Sequence, residues 1–167
     1  MALDDDKAFW TWFRSGLRRL SQRYPSLYSV LAEAKRPYNG PNKRQKVCYE
    51  CAECKGLFSG KDVAVDHIEA CGALTCKQDV ADFVDKLFCG KEGLQVLCKT
   101  CHDLKTIMDK NGVSKEEAYV MQDLTKFKGM KAADQINLLT FFNIDVRMLN
   151  NAKARAEAYR NYLKEIK

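Results

Sequence analysis

Two Cys-x-x-Cys pairs bracket an Asp-His pair in this chain. Cys51 and Cys54 come first, then Asp66-His67, then Cys98 and Cys101, with His102 directly after the last cysteine. Four thiolates in two such pairs are the donor set of a tetrahedral zinc site. The 43 residues between the pairs leave room for further structure inside the loop that the metal would close. The chain has two histidines, and both lie in this stretch. Asp66 and His102 offer a carboxylate oxygen and an imidazole nitrogen, which suit a divalent cation with open coordination positions. His67 is then left to act as a general base. Lys105 follows His102 by three residues, so on a helix the two share a face. Cys71, Cys76 and Cys89 have no paired spacing and read as buried or free thiols.

Those groups need elements to carry them. Residues 46–50 read as a short strand leading into a zinc knuckle, Cys51 to Gly56, in which the glycine is expected to supply the tight turn. Residues 62–66 alternate as the second strand of a hairpin, with His67 at its end. Successive strand residues point to opposite faces, so Asp66 and His67 can serve one site only if the strand ends or distorts there. Residues 78–87 can form a helix with Val80, Phe83, Val84 and Leu87 inward. Residues 93–109 read as the core helix, holding Cys98 and Cys101 on one side and His102 and Lys105 on another.

The flanks read as helical. Residues 6–22 form an amphipathic helix with Phe9, Phe13, Leu17 and Leu20 on one face, Arg14 and Arg18 on another, and Arg19 and Arg23 nearby. Pro25 starts a second helix carrying Leu27, Val30, Leu31 and Ala34, which ends near Lys35-Arg36-Pro37. Residues 37–46 have the composition of a linker, with Lys43, Arg44 and Lys46 as exposed charge. After the Asn111-Gly112 turn, Ser114-x-x-Glu117 is a capping-box pattern opening another helix. Residues 131–142 follow with Ile136, Leu139 and Phe142 inward, and Asn143-Ile144-Asp145 breaks that helix. The last helix has Ala152, Ala156, Tyr159 and Leu163 on one face and Lys153, Arg155, Arg160 and Lys164 outside.

The charge is patterned along the chain. Net charge is +6 over 167 residues, with 10 basic against 4 acidic side chains in residues 1–47 and 7 against 10 in residues 48–106. An acidic centre between basic arms suits a cation site whose flanks attract a polyanion. Apolar content of 46% argues against wholesale disorder. No apolar run reaches the length of a membrane span. The start Met1-Ala2-Leu3-Asp4-Asp5-Asp6 lacks a secretory segment, so a soluble, cytoplasmic protein is expected, with its cysteines reduced and available to zinc.

From Tyr49 to Thr106 the chain resembles the HNH endonucleases, the ββα-metal or His-Me finger nucleases. The likeness rests on Cys51-x-x-Cys54, Val65-Asp66-His67-Ile68 and Leu94-Gln95-x-Leu97-Cys98-x-x-Cys101-His102-x-x-Lys105. The resemblance implies that His67 activates water, that Asp66 and His102 bind the catalytic metal, Mg²⁺ or Mn²⁺, and that Lys105 contacts phosphate. It departs from the family at Gly93, where the family's orienting Asn usually stands. The basic N-terminal helix and the phrase Phe88 to Cys98 are similar to phage-encoded members. The C-terminal helix pair is faintly similar to a helix-extended-helix DNA-binding module, but a helical cap on the core is the preferred reading of it.

The expectation is therefore an α+β protein, a small ββα-metal core stapled by a four-cysteine zinc and flanked by mainly α-helical extensions. Its parts are a basic helical arm and linker (1–46), the core with its zinc (47–109) and a helical C-terminal region able to bind DNA (110–167). The expected function is metal-dependent hydrolysis of DNA phosphodiesters. Arg14, Arg18, Arg19, Lys43, Arg44 and Lys46 would touch the nucleic-acid backbone. A homodimer would serve double-strand cleavage, and a phage or host protein is a candidate partner. The alternative is a non-catalytic zinc-dependent nucleic-acid-binding or protein-interaction module that retains this core.

Overall fold

The computed structural model describes residues 6–166, and the acidic start at residues 1–5 lies outside them. The chain is α+β and divides into two compact units, Met1–His102 and Asp103–Lys167. The basic N-terminal segment is thus part of the first unit rather than a separate arm.

In the first unit, helix α1 (Lys7–Ser21) is capped by Asp6, whose carboxylate accepts from the Phe9 N–H at 3.0 Å. Trp10 is buried, with Phe9, Phe13 and Leu17 around it, against Cys71, Leu74, Phe83 and Leu87. Leu20 is 60% exposed, against the sequence reading. Leu20 is not separated from Phe9 and Phe13 by wheel angle; it sits in the last turn of α1, beyond the residues that pack on Phe83 and Leu87. Helix α2 (Pro25–Ala34) starts at its proline as expected, and sets Leu27, Val30, Leu31 and Ala34 on Leu94 and Val96.

The chain does not become a linker after α2. Lys35–Pro37 forms an edge strand, β1, antiparallel to β2 (Val47–Glu50), with Arg36 opposite Cys48. Residues 38–46 are the loop of that hairpin, closed by the Tyr38 N–H donating to Lys46 O at 3.1 Å. Pro37 is tolerated because it sits at the end of an edge strand. A two-residue strand β3 (Leu57–Phe58) completes this sheet in the order β1-β2-β3.

The second sheet changes the expected core. Strand β4 (Val63–His67) pairs with β5 (Leu94–Cys98), in register from Val63 opposite Cys98 to His67 opposite Leu94. The partner of β4 is therefore not the 46–50 strand, and the stretch read as the first part of the core helix is a strand. Leu94-Gln95-Val96-Leu97-Cys98 is a short apolar run, and a run of that length fits a buried strand or a buried helix equally well by periodicity. Long-range pairing with β4 decides it. Helix α3 (Val80–Leu87) buries Phe83 and Leu87. Helix α4 (Lys99–Asn111) begins in the first unit and ends in the second.

The second unit contains α5 (Lys115–Lys128), α6 (Ala132–Phe141) and α7 (Ala152–Glu165). The capping box forms as its sequence indicates: Ser114 Oγ accepts from the Glu117 N–H, and Glu117 Oε2 from the Ser114 N–H. Leu124, Phe127, Leu139, Ala156, Tyr159 and Leu163 make the core, with the Phe127 and Tyr159 rings stacked at 4.5 Å. Asn143, at φ 58°, ends the chain's helical run after Phe142. Two inward–outward assignments reverse. Ile136 is exposed, and Arg155 is buried at 8%. Arg155 can be buried because its Nε donates to Gln135 Oε1 at 2.8 Å and its Nη1 to Leu149 O at 3.2 Å. Gln135 Nε2 in turn donates to Phe127 O at 3.0 Å. Among the described residues no helix is long and apolar enough to cross a membrane.

Candidate functional site

Cys51 follows the last residue of β2, Cys54 lies in the turn after it, Cys98 ends β5 and Cys101 sits in the first turn of α4. Their four sulfurs all lie within 4.8 Å of one another. Cys54 Sγ and Cys98 Sγ are 3.9 Å apart. Sulfurs about 2.3 Å from one tetrahedral ion stand about 3.8 Å apart, so the cluster can hold a metal ion such as zinc. The turn that aims the first pair is closed by two hydrogen bonds, Lys55 N–H to Cys51 O at 3.0 Å and Cys51 N–H to Gly56 O at 2.9 Å. Its left-handed residue is Lys55, at φ 58°, not the glycine. Gly56 is needed for space, since a Cβ there would come within 2.8 Å of the Phe58 ring.

The electrostatics of the cluster favour a cation. Burial pushes the Cys51 thiol up, but N–H groups of Cys98, Cys54 and Glu53 aimed at its sulfur bring it down to about 7. The Cys98 N–H lies 3.3 Å from that sulfur. Cys98 and Cys101 are pushed up by burial, with the neighbouring thiols adding to the effect at Cys101. Crowded thiolates raise one another in this way until a positive ion sits among them.

A second group of side chains lies on β4 and α4. Asp66, opposite Gln95 in the β4–β5 ladder, places Oδ1 3.9 Å from His102 Nε2. That separation exceeds a hydrogen bond. It lies within the roughly 4.2 Å that can separate two ligands each about 2.1 Å from one ion. The other oxygen of Asp66, Oδ2, is buried and receives no hydrogen bond. Asp66 and His102 are two donors at a separation one ion can span; among the described residues the four cysteines are the group of three or more that could hold a metal.

His67 is the last residue of β4, and the chain bends at residues 68–69. Asp66 and His67 are both paired in the ladder, so the strand ends only after them and no distortion falls between the two residues. His67 Nε2 lies 3.1 Å from Leu87 O at the end of α3. A carbonyl only accepts, so Nε2 carries the hydrogen and the neutral ring keeps its basic lone pair on Nδ1. The β4–β5 pairing continues one step past His67, with the Ile68 N–H donating to Gly93 O at 2.9 Å. A Cβ on Gly93 would sit 2.6 Å from Cys89 Sγ. The position that departs from the HNH pattern thus clamps the Asp66-His67 strand end through its backbone carbonyl.

The remaining expected residues fall as follows. Lys105, on α4, pairs with Asp109 one turn on. Arg14, Arg18 and Arg19 are exposed on α1, and the Arg18 guanidinium lies 5.8 Å from the centre of the Phe83 ring. Lys43, Arg44 and Lys46 are exposed in the β1–β2 loop. Cys71 is buried and Cys76 and Cys89 are half-buried, all outside the four-cysteine cluster. Sequence reasoning missed the carbonyls of Leu87 and Gly93. Every residue has a carbonyl, so no residue type could have signalled them. No family model, no curated protein and no solved structure matches the chain.

Proposed function

We propose that this protein is a metal-dependent DNA endonuclease of the HNH kind, with a structural zinc at Cys51, Cys54, Cys98 and Cys101. One observation carries the reading. A carboxylate and an imidazole from β4 and α4 stand at ligand separation, Asp66 Oδ1 to His102 Nε2 at 3.9 Å. The next residue along the strand is a histidine whose tautomer is fixed by a backbone carbonyl at 3.1 Å.

In this mechanism His67 Nδ1 takes a proton from water as the water oxygen attacks phosphorus. The bond from phosphorus to the 3′-oxygen breaks, leaving a 5′-phosphate and a 3′-oxyanion that takes a proton from solvent water to become the 3′-hydroxyl. The Leu87 carbonyl stabilises the imidazolium that forms, because it accepts from Nε2–H in both protonation states. Asp66 and His102 would hold Mg²⁺ or Mn²⁺, which supplies positive charge to the developing phosphorane and the departing oxygen. Lys105 is the proposed phosphate contact, exchanging its Asp109 partner for a non-bridging oxygen. Arg14, Arg18, Arg19, Lys43, Arg44 and Lys46 are proposed to hold the DNA backbone, so affinity falls steeply with salt.

Supercoiled plasmid is the test substrate, incubated with the zinc-loaded protein and Mg²⁺, Mn²⁺ or neither. Nicking or linearisation that requires the added cation is expected. His67→Ala should lower it by about 10²–10⁴-fold while keeping its zinc and its circular dichroism spectrum. A wild-type protein that binds the plasmid but leaves it intact under both cations sinks the enzyme reading in favour of a binding module.

A further inference from the structure

Helix α7 carries Lys153, Glu157, Arg160 and Lys164 at intervals of four, three and four residues, which puts them on one face. The core takes a different face, through Ala156, Tyr159 and Leu163, and Arg155 is tied down by Gln135 and the Leu149 carbonyl. The charged face is not an outer surface facing only water. It forms one wall of a trough of about 640 Å³, with Leu124 and Lys128 of α5 also lining it. Its cations are Lys128, Lys153, Arg160 and Lys164, its one anion is Glu157, and all four cationic residues are exposed.

Two other cations of this unit have acidic partners, Lys126 with Asp123 and Arg147 with Asp145. Among the described residues none of the four trough cations is in an ion pair. Four mutually repelling cations around one hollow weaken a folded unit unless an anion sits among them. Lys153 to Lys164 spans eleven residues, about 16 Å of helix. That length is too great for one small anion but matches about five phosphates of one DNA strand, spaced about 3.4 Å along the duplex axis. On the other side of Arg160 and Lys164 a neighbouring hollow is lined by Glu116 and Glu117, which confines a polyanion to the trough. An acidic protein partner would meet the same charges. The α7 cations Lys153, Arg160 and Lys164 extend over about three turns with Lys128 across the trough, an elongated array that a run of backbone phosphates can meet.

We infer that the α5–α7 trough is a second seat for the DNA backbone, made by Lys128, Lys153, Arg160 and Lys164. It deepens the nuclease reading by supplying a grip on DNA outside the residues that reading uses, and it rests on that reading for DNA as the ligand. The seat is sequence-independent, since it reaches phosphates and not base edges.

The test uses the full zinc-loaded chain and a fluorescein-labelled duplex of about 20 base pairs, long enough to span the stripe. No Mg²⁺ or Mn²⁺ is added, so binding is read without cleavage. Anisotropy titrations across a series of salt concentrations compare wild type with the triple variant K153Q/R160Q/K164Q. A control triple, K110Q/K126Q/R147Q, removes the same charge from elsewhere in the unit. The trough variant is expected to bind about tenfold or more weakly, with a log–log salt slope shallower by about 2.7, three contacts at about 0.9 each. The control should move both by less than about a third of that.

Unchanged affinity and slope in the trough variant overturn the inference, as does an equal loss in the control. Tighter, trough-dependent binding of a single-stranded RNA of the same length overturns the assignment to duplex DNA. Wild type that never cuts plasmid but binds duplex through the trough removes the nuclease reading and leaves this inference supported.

Discussion

Cys54→Ser separates metal binding from packing more cleanly than any other substitution in the chain. Of the four clustered cysteines Cys54 is the exposed one, while Cys51, Cys98 and Cys101 are buried. Serine has nearly the same volume, so at an exposed position it opens no cavity and buries no hydroxyl. Whatever the variant loses is then the metal–sulfur bond. Structural zinc contributes about 10–16 kcal/mol to folding through four ligands, so one ligand is worth about 3 kcal/mol, or roughly a hundredfold in zinc affinity. That is a large share of the roughly 5–15 kcal/mol by which an ordinary domain is stable.

The assay is zinc competition against a chromophoric chelator, followed by urea unfolding at fixed free zinc. Wild type should carry one zinc per chain. Cys54→Ser should lose zinc at about a hundredfold lower chelator concentration and unfold at lower urea. Cys48→Ser serves as the comparison, since Cys48 is 2% exposed and lies outside the cluster. It should cost stability without changing zinc content. A wild type that binds no zinc, or a Cys54→Ser protein with unchanged zinc affinity and unfolding midpoint, refutes the reasoning.

Four further outcomes are expected. Zinc should be lost to chelator more easily as pH falls, because burial already holds Cys98 and Cys101 up and protons compete with the metal for all four sulfurs; a flat pH profile of zinc retention argues against thiolate ligation. Gly93→Ala should destabilise by about 1–3 kcal/mol through the clash with Cys89, and Cys89→Ala introduced with it should recover most of that loss in urea titrations. Gln135→Ala should cost about 1–3 kcal/mol, since it strands the buried Arg155 Nε, while the Phe127 carbonyl keeps the Met130 N–H; thermal unfolding measures it, and a change under about 0.5 kcal/mol discounts the network. His102→Ala should abolish cation-dependent plasmid cleavage while sparing the zinc, and a variant as active as wild type removes His102 from the cation site.

The side chains that make the four-cysteine cluster were legible in the sequence because their spacing is short. Two residues between cysteines let sulfurs meet through a single turn, which marks Cys51 with Cys54 and Cys98 with Cys101; Cys48 and Cys51 have the same spacing, and only the fold leaves Cys48 out of the cluster. The helices were legible for the same local reason. Asp6, Pro25 and the Ser114–Glu117 box mark starts whose hydrogen bonds close within three or four residues. Pairs that depend on distant chain were not legible. The β4–β5 ladder joins residues about thirty apart, and Leu94–Cys98 is a strand only because Val63–His67 lies beside it. Arg155 reads as a surface charge until Gln135 and the Leu149 carbonyl are found around it.

The sequence by itself determined the donors: which thiols are spaced to share a metal, which carboxylate and imidazoles stand near them, and where helices begin. Side-chain chemistry and interactions spanning one or two turns are written in residue order. Only the tertiary structure decided that Asp66 faces His102 at 3.9 Å, that His67 is fixed on Leu87, and that Gly93 holds the strand end through its carbonyl. Each of these joins residues twenty or more positions apart, and two of the three run through backbone groups that every residue possesses. A local pattern cannot encode such contacts, because the whole unit must fold before the groups meet.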